Sequence, residues 1–201
     1  MGNEKSLSTV VKKVKNADHS ELTSSAFWIG HSLMVLATIF GVYLAAQAGL
    51  KQAIIFDDVS TKQSNYFLRH SLYEELSDNV AILRTYNETA LSKGMSKTML
   101  KMKNPNLNTY VWETMKYSPA TLETPSYFLS ETRRFYTQVN DIIRKGEEKQ
   151  YGPSHASKLM TETLDRMEKV VLPKLAKNSE YLVRQLKEFD VDVDEIQGLN
   201  E

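Results

Sequence analysis

The stretch Leu22–Leu50, LTSSAFWIGHSLMVLATIFGVYLAAQAGL, runs for 29 residues without a Lys, Arg, Asp or Glu, between Glu21 and Lys51. About 20 apolar residues in a helix cross a bilayer core of roughly 30 Å. A helix apolar on all sides must be buried in a core or in lipid. A chain of 201 residues with this stretch near its start has room for one span and one further domain of about 150 residues. The expected architecture is therefore all-α, with a transmembrane helix at 25–50 acting as an uncleaved signal anchor.

The stretch has two other readings. Ala46-Gln47-Ala48 has the small-x-small form of a signal-peptide cleavage site. The preceding tail is longer than 20 residues, however, and the apolar run exceeds the usual 7–15 of a signal peptide. A buried core helix is the soluble alternative. Trp28 and Tyr43 stand toward the two ends, where amphipathic rings suit the headgroup zone. The tail opens MGNEKS, which fits a myristoylation pattern that only a eukaryotic host would read.

Orientation rests on positive charge. Lys12, Lys13 and Lys15 before the span balance Lys51, Lys62 and Arg69 after it, and Lys5 tips the count toward a cytoplasmic N-terminus. A short charged cytoplasmic tail at 1–24 and an extracytoplasmic domain are expected, in a bacterial inner membrane. Within the span, Ala37, Gly41, Ala45 and Gly49 recur every fourth residue. Such a face lets helices approach closely, so a homo-oligomer through the span is an expected partner arrangement beside the lipid bilayer itself. His31 is the one ionisable group inside, a turn from Trp28 and within reach of the interface.

Beyond the span, Lys51–Ser60 reads as a juxtamembrane connector, though no proline occurs before Pro105 and the helix can run on toward Gly94. Tyr66, Tyr73, Leu76, Val80 and Leu83 step by seven, three, four and three, which lines one face of a helix over about 61–91. Glu74, Glu75 and Asp78 are read as its solvated face. In KGMSKTMLKMK, residues 93–103, Met95, Met99 and Met102 share a face apart from Lys97 and Lys101. Core packing is expected for the methionines, with headgroup or partner contact and a Cu(I) site as alternatives. Asn87-Glu88-Thr89 is a glycosylation sequon of use only in a eukaryotic secretory route.

Residues 107–117 carry three aromatic rings, with Tyr110, Trp112 and Tyr117 suited either to a contact surface or to the plug of a small bundle. Ser118-Pro119 and Thr124-Pro125 resemble two cap-plus-proline helix starts. A helix over about 125–149 should turn Phe128, Phe135, Val139, Ile142 and Ile143 inward. Tyr151-Gly152-Pro153-Ser154 reads as a turn in which glycine permits φ > 0. The last helix, about 154–189, keeps Met160, Leu164, Met167, Val171, Leu175, Leu182, Leu186 and Phe189 on one stripe, and Pro173 should kink it near Lys169–Leu172.

The expected domain is thus an antiparallel bundle of three principal helices plus short helical elements over 61–189, followed by an acidic tail at 190–201. In that tail Asp190, Asp192, Asp194 and Glu201 resemble the ligand spacing of a calcium-binding EF-hand loop, but Glu195 stands where the loop needs glycine. No phosphate loop, zinc pair or nucleophile elbow occurs, and the four histidines are scattered. No catalytic residue, metal or cofactor is expected. Lys+Arg and Asp+Glu number 25 each and interleave, which gives no stripe for nucleic acid. The chain has no cysteine, which excludes disulfides and thiol chemistry. The functional expectation is a non-catalytic envelope interaction or accessory module that holds another protein near the membrane. Its contact residues would be Tyr110, Trp112 and Tyr117, with Lys97 and Lys101 as an electrostatic rim. The alternative is a ligand-sensing bundle that signals through a separate protein.

Overall fold

The structure is a computed structural model that describes residues 24–193. Of these, 83% are helical, and no strand occurs among them. The tail at 1–23 and the acidic end at 194–201, with most of the calcium-loop resemblance, lie outside the described residues. The chain divides into two compact units, one up to Ile55 and one from Phe56 onward.

The first helix, α1, spans Ser25–Tyr86 and continues through a π-helical turn at Asn87–Leu91. Residues 51–60, expected as a connector, are helical. In the first unit this helix is long and apolar enough to cross a membrane, and none of its most apolar 18-residue window is buried against protein. Two polar side chains here bond within their own helix. The Thr38 hydroxyl donates to the Met34 carbonyl and the Gln47 amide donates to the Tyr43 hydroxyl, each at 2.8 Å. His31 packs its ring on Phe27, with centroids 4.2 Å apart. Such local pairing removes the cost of carrying polar groups in an apolar medium. Ala37, Gly41, Ala45 and Gly49 are all exposed, and a Cβ added at Gly41 or Gly49 would touch nothing within 4 Å.

The second unit holds the core. After α1 come α2 (Lys97–Met102), α3 (Tyr110–Thr114), two 3₁₀ turns at Met115–Tyr117 and Pro119–Thr121, α4 (Ser126–Glu147), α5 (Pro153–Arg166) and α6 (Leu172–Lys187). The stripes expected from sequence spacing are the buried ones. Leu76, Val80 and Leu83 of α1 meet Phe135, Val139 and Ile143 of α4 in one cluster with Met160 and Leu164 of α5. Leu72, which the stepping pattern passed over, is fully buried with them. Phe189 is the exception on the last stripe, 40% exposed just past the end of α6.

Pro173 acts where expected. A π-helical turn at Met167–Val171 separates α5 from α6. Proline has no N–H and its ring would strike the carbonyl four residues back, so the wider π turn gives the backbone a route past it. The turn between α4 and α5 differs from expectation. Gly152 takes φ −67° and stands before the helix, with Pro153 in its first turn. The left-handed residue is Lys149, at φ 59°. It closes α4 with Gln150 N–H on the Lys145 carbonyl at 2.9 Å, the kind of closure glycine usually provides. The sequence signal misled because glycine's freedom was assigned to the only glycine in the turn.

Candidate functional site

Three short elements carry the expected contact residues. Ser96 caps α2 by accepting the Met99 amide, and Leu100 buries the inner side of that helix. Lys97 and Lys101 are therefore exposed, as are Met99 and Met102 at 42% and 76%. This overturns core packing for those two methionines; Met95 alone of the three packs on the core. Tyr110 and Tyr117 are 79% and 88% exposed, and Leu122, further along the chain, is 91% exposed. Trp112 is half-buried, stacked on Tyr136 with centroids 6.2 Å apart.

What seats Trp112 is a polar node that sequence spacing missed. Glu75 is 6% exposed, not part of a solvated face. Its carboxylate accepts the amides of Val111 at 2.6 Å and Trp112 at 3.1 Å. Thr109, the residue before α3, makes no side-chain cap, so a carboxylate from α1 does that work. A negative group at a helix start meets the unpaired N–H groups and the positive end of the dipole. The Tyr136 hydroxyl donates to Glu75 at 3.0 Å and accepts from Asn79 Nδ2 at 2.9 Å. Asn79 also brackets Asn108, donating to its carbonyl and accepting its amide at 2.8 Å. Burial, and then the Glu75 charge, push the Tyr136 phenol far above its ordinary range, so it stays a donor. The available signal was that Glu75 and Asn79 sit at three- and four-residue steps from Leu72, Leu76 and Leu83, on the core side of α1.

Ion pairs fasten the helices. Glu131 of α4 takes a two-pronged contact from Arg166, both arms at 2.9 Å, and a third from Arg134. The Arg166 hydrogen bonds hold its carboxyl below the usual range. Arg84 of α1 bridges Asp165 and Glu168 at the π turn. Among the described residues no three His, Asp or Glu side chains converge as a metal site. The sequon asparagine is occupied: Asn87 is 7% exposed and donates to Thr161 Oγ1 at 3.0 Å.

A second surface feature is a groove of about 490 Å³ between α1 and α6. One wall carries Tyr66, His70 and Tyr73, which share a face at helical spacing. Tyr66 and His70 stack with centroids 5.5 Å apart and planes 11° apart. The opposite wall, on α6, combines the small residues Ala176, Ser179 and Val183 with Glu180 and Arg184. Arg69 ties the walls together, donating to Asn178 Oδ1 at 2.8 Å and to the Glu123 carbonyl at 2.7 Å. Ser179 Oγ is buried without a hydrogen-bond partner. Sequence reading had no access to this groove, because its walls are about 110 residues apart in the chain.

No protein-family description, curated protein or solved structure matches this chain.

Proposed function

We propose that the chain is a single-pass membrane-anchored protein whose helical domain is a non-catalytic interaction or accessory module. In this reading α1 anchors an antiparallel bundle of three principal helices, counting α5 and α6 as one. The setting is a bacterial inner membrane with the N-terminus cytoplasmic and the domain outside. The observation that carries the proposal is the pairing of exposure with rigidity at one segment: Tyr110 and Tyr117 are 79% and 88% exposed, while Trp112 between them is seated by Glu75 and Tyr136. Aromatic anchors on a pre-ordered platform lose little entropy on binding. Lys97 and Lys101 supply positive charge on α2 for the rim.

The test is site-directed crosslinking from native membranes, with a photoreactive residue at Tyr110, Tyr117 or, as control, the exposed Lys158 of α5. A defined protein adduct at Tyr110 and Tyr117 but not at Lys158 is expected; equal adducts at all three sites, or none, would remove the proposal. A compartment-sensitive reporter fused after Glu201 tests the orientation. A second reading, a ligand-sensing bundle that acts through a separate protein, is favoured by the groove between α1 and α6.

A further inference from the structure

We infer that the groove between α1 and α6 binds a zwitterionic amino acid with a large apolar or aromatic side chain. The inference rests on the ligand-sensing reading and gives it a substrate class. A volume of about 490 Å³ lies in the range of small-molecule pockets, roughly 300–1,000 Å³. The ring wall of Tyr66, His70 and Tyr73 faces small side chains across the gap, a slot shaped for a flat or branched hydrocarbon body. Ser179, 5% exposed, adds another small side chain to that wall.

The charges select the ligand's polar end. Glu180 and Arg184 both line the groove, one helical turn apart on α6. Neither side chain makes a hydrogen bond or an ion pair with another described residue. A purely anionic ligand would satisfy Arg184 and meet repulsion from Glu180; a purely cationic one would do the reverse. A zwitterion answers both, with its ammonium at Glu180 and its carboxylate at Arg184. Charge-assisted hydrogen bonds of this kind are the strong ones. The Arg69–Asn178 bond holds the walls at a fixed spacing, so the site is formed before the ligand arrives.

The experiment is calorimetric titration of the full chain in nanodiscs with L-phenylalanine, 3-phenylpropionate and phenethylamine. L-Phenylalanine is expected to bind saturably, and each singly charged analogue about tenfold or more weaker. Glu180→Gln and Arg184→Gln, both surface changes, should each weaken L-phenylalanine by about fivefold or more, and Ala176→Phe should abolish binding by filling the slot. No saturable binding of L-phenylalanine overturns the inference, as does unchanged affinity in both charge variants. Tighter binding of either singly charged analogue overturns the zwitterion assignment. Should Ala176→Phe lose helicity, Tyr73→Ala, which removes part of the ring wall, replaces it, with weakened binding expected and unchanged binding counting against the site. Binding is read directly, so saturable binding with no downstream response would leave the site standing and remove only the sensing reading.

Discussion

Glu75 accepts the Val111 amide at 2.6 Å, and through that bond a carboxylate on the longest helix sets the start of the five-residue helix α3. So short a helix has no stability of its own. Its position is imposed by the node of Glu75, Asn79 and Tyr136, which also places Trp112. Replacing Glu75 by Ala leaves two amides short of a partner, while the Tyr136 hydroxyl keeps the Asn108 carbonyl at 3.1 Å, and a loss of about 2–4 kcal/mol is expected. Glu75→Gln keeps one acceptor and should cost about half as much. Urea unfolding followed by circular dichroism reads the stability, and Trp112 emission reads the local seat. Unchanged emission in Glu75→Ala would mean that α3 holds itself.

The buried phenols predict an alkaline limit. Burial, helped by the Glu147 charge, pushes the Tyr86 hydroxyl from its ordinary value of 10.0 up to about 12, and Tyr136 is raised further still. A group whose pKa is raised by folding binds its proton more tightly in the native state. Its contribution is whole below the unfolded value and is lost as pH climbs toward the folded one. Stability should therefore hold up to about pH 10 and fall between there and about pH 12. Tyr86→Phe, which removes a phenol without a hydrogen-bond partner, should flatten that decline in thermal melts taken across the range. A decline as steep as in the parent protein would place the sensitivity elsewhere.

The legible part of this fold was what spacing alone encodes. The apolar stripes of α1, α4 and the α5–α6 pair were readable because each buried residue recurs on its own helix face, and Leu76, Val139 and Leu164 each lie on such a stripe. Pro173 was readable because its ring geometry is local. Glu75 was not, because charge argued for water while position argued for the core, and the partners that make its burial tolerable, the Val111 and Trp112 amides and the Tyr136 hydroxyl, lie 36 to 61 residues on. The groove was still further from view: Tyr66 and Ser179 are ordinary on their own helices, and they matter only when packing sets them across a gap. The aromatic segment was half legible. Tyr110 and Tyr117 are exposed, whereas Trp112 is both platform and surface.

Lys149 offers a stabilising change. Its φ of 59° puts a side chain in the left-handed region, at a cost of about 1–2 kcal/mol. Lys149→Gly removes that strain but adds freedom to the unfolded chain, about 0.4–1 kcal/mol in the other direction. It also gives up an exposed bond from Lys149 Nζ to the Met95 carbonyl. A net gain of about 0.5 kcal/mol is expected, seen as a higher urea midpoint with an unchanged slope. A lowered midpoint would show that the Met95 contact outweighs the backbone.

Gly146 is required for closeness, not for conformation. It lies buried within α4, and a Cβ there would stand 2.9 Å from Leu91 Cδ1 and 3.9 Å from Ala156 Cβ. The π turn at the end of α1 and the first turns of α5 both press on this point. In an unpacked helix Gly→Ala would be worth up to about 1 kcal/mol in favour of folding. Here the methyl has to displace a fully packed leucine, and overpacking of this kind costs about 1–3 kcal/mol. Gly146→Ala should thus destabilise the domain by about 1–2 kcal/mol, the clash outweighing the propensity. The cause is separable from a general intolerance of the site. Leu91→Ala alone opens a cavity and should cost about 2–4 kcal/mol, but in that background Gly146→Ala has room for its methyl. The double mutant should be no less stable than Leu91→Ala, a coupling of about 1–2 kcal/mol between the two positions. Additive losses in the cycle would mean that Leu91 is not what Gly146 makes room for.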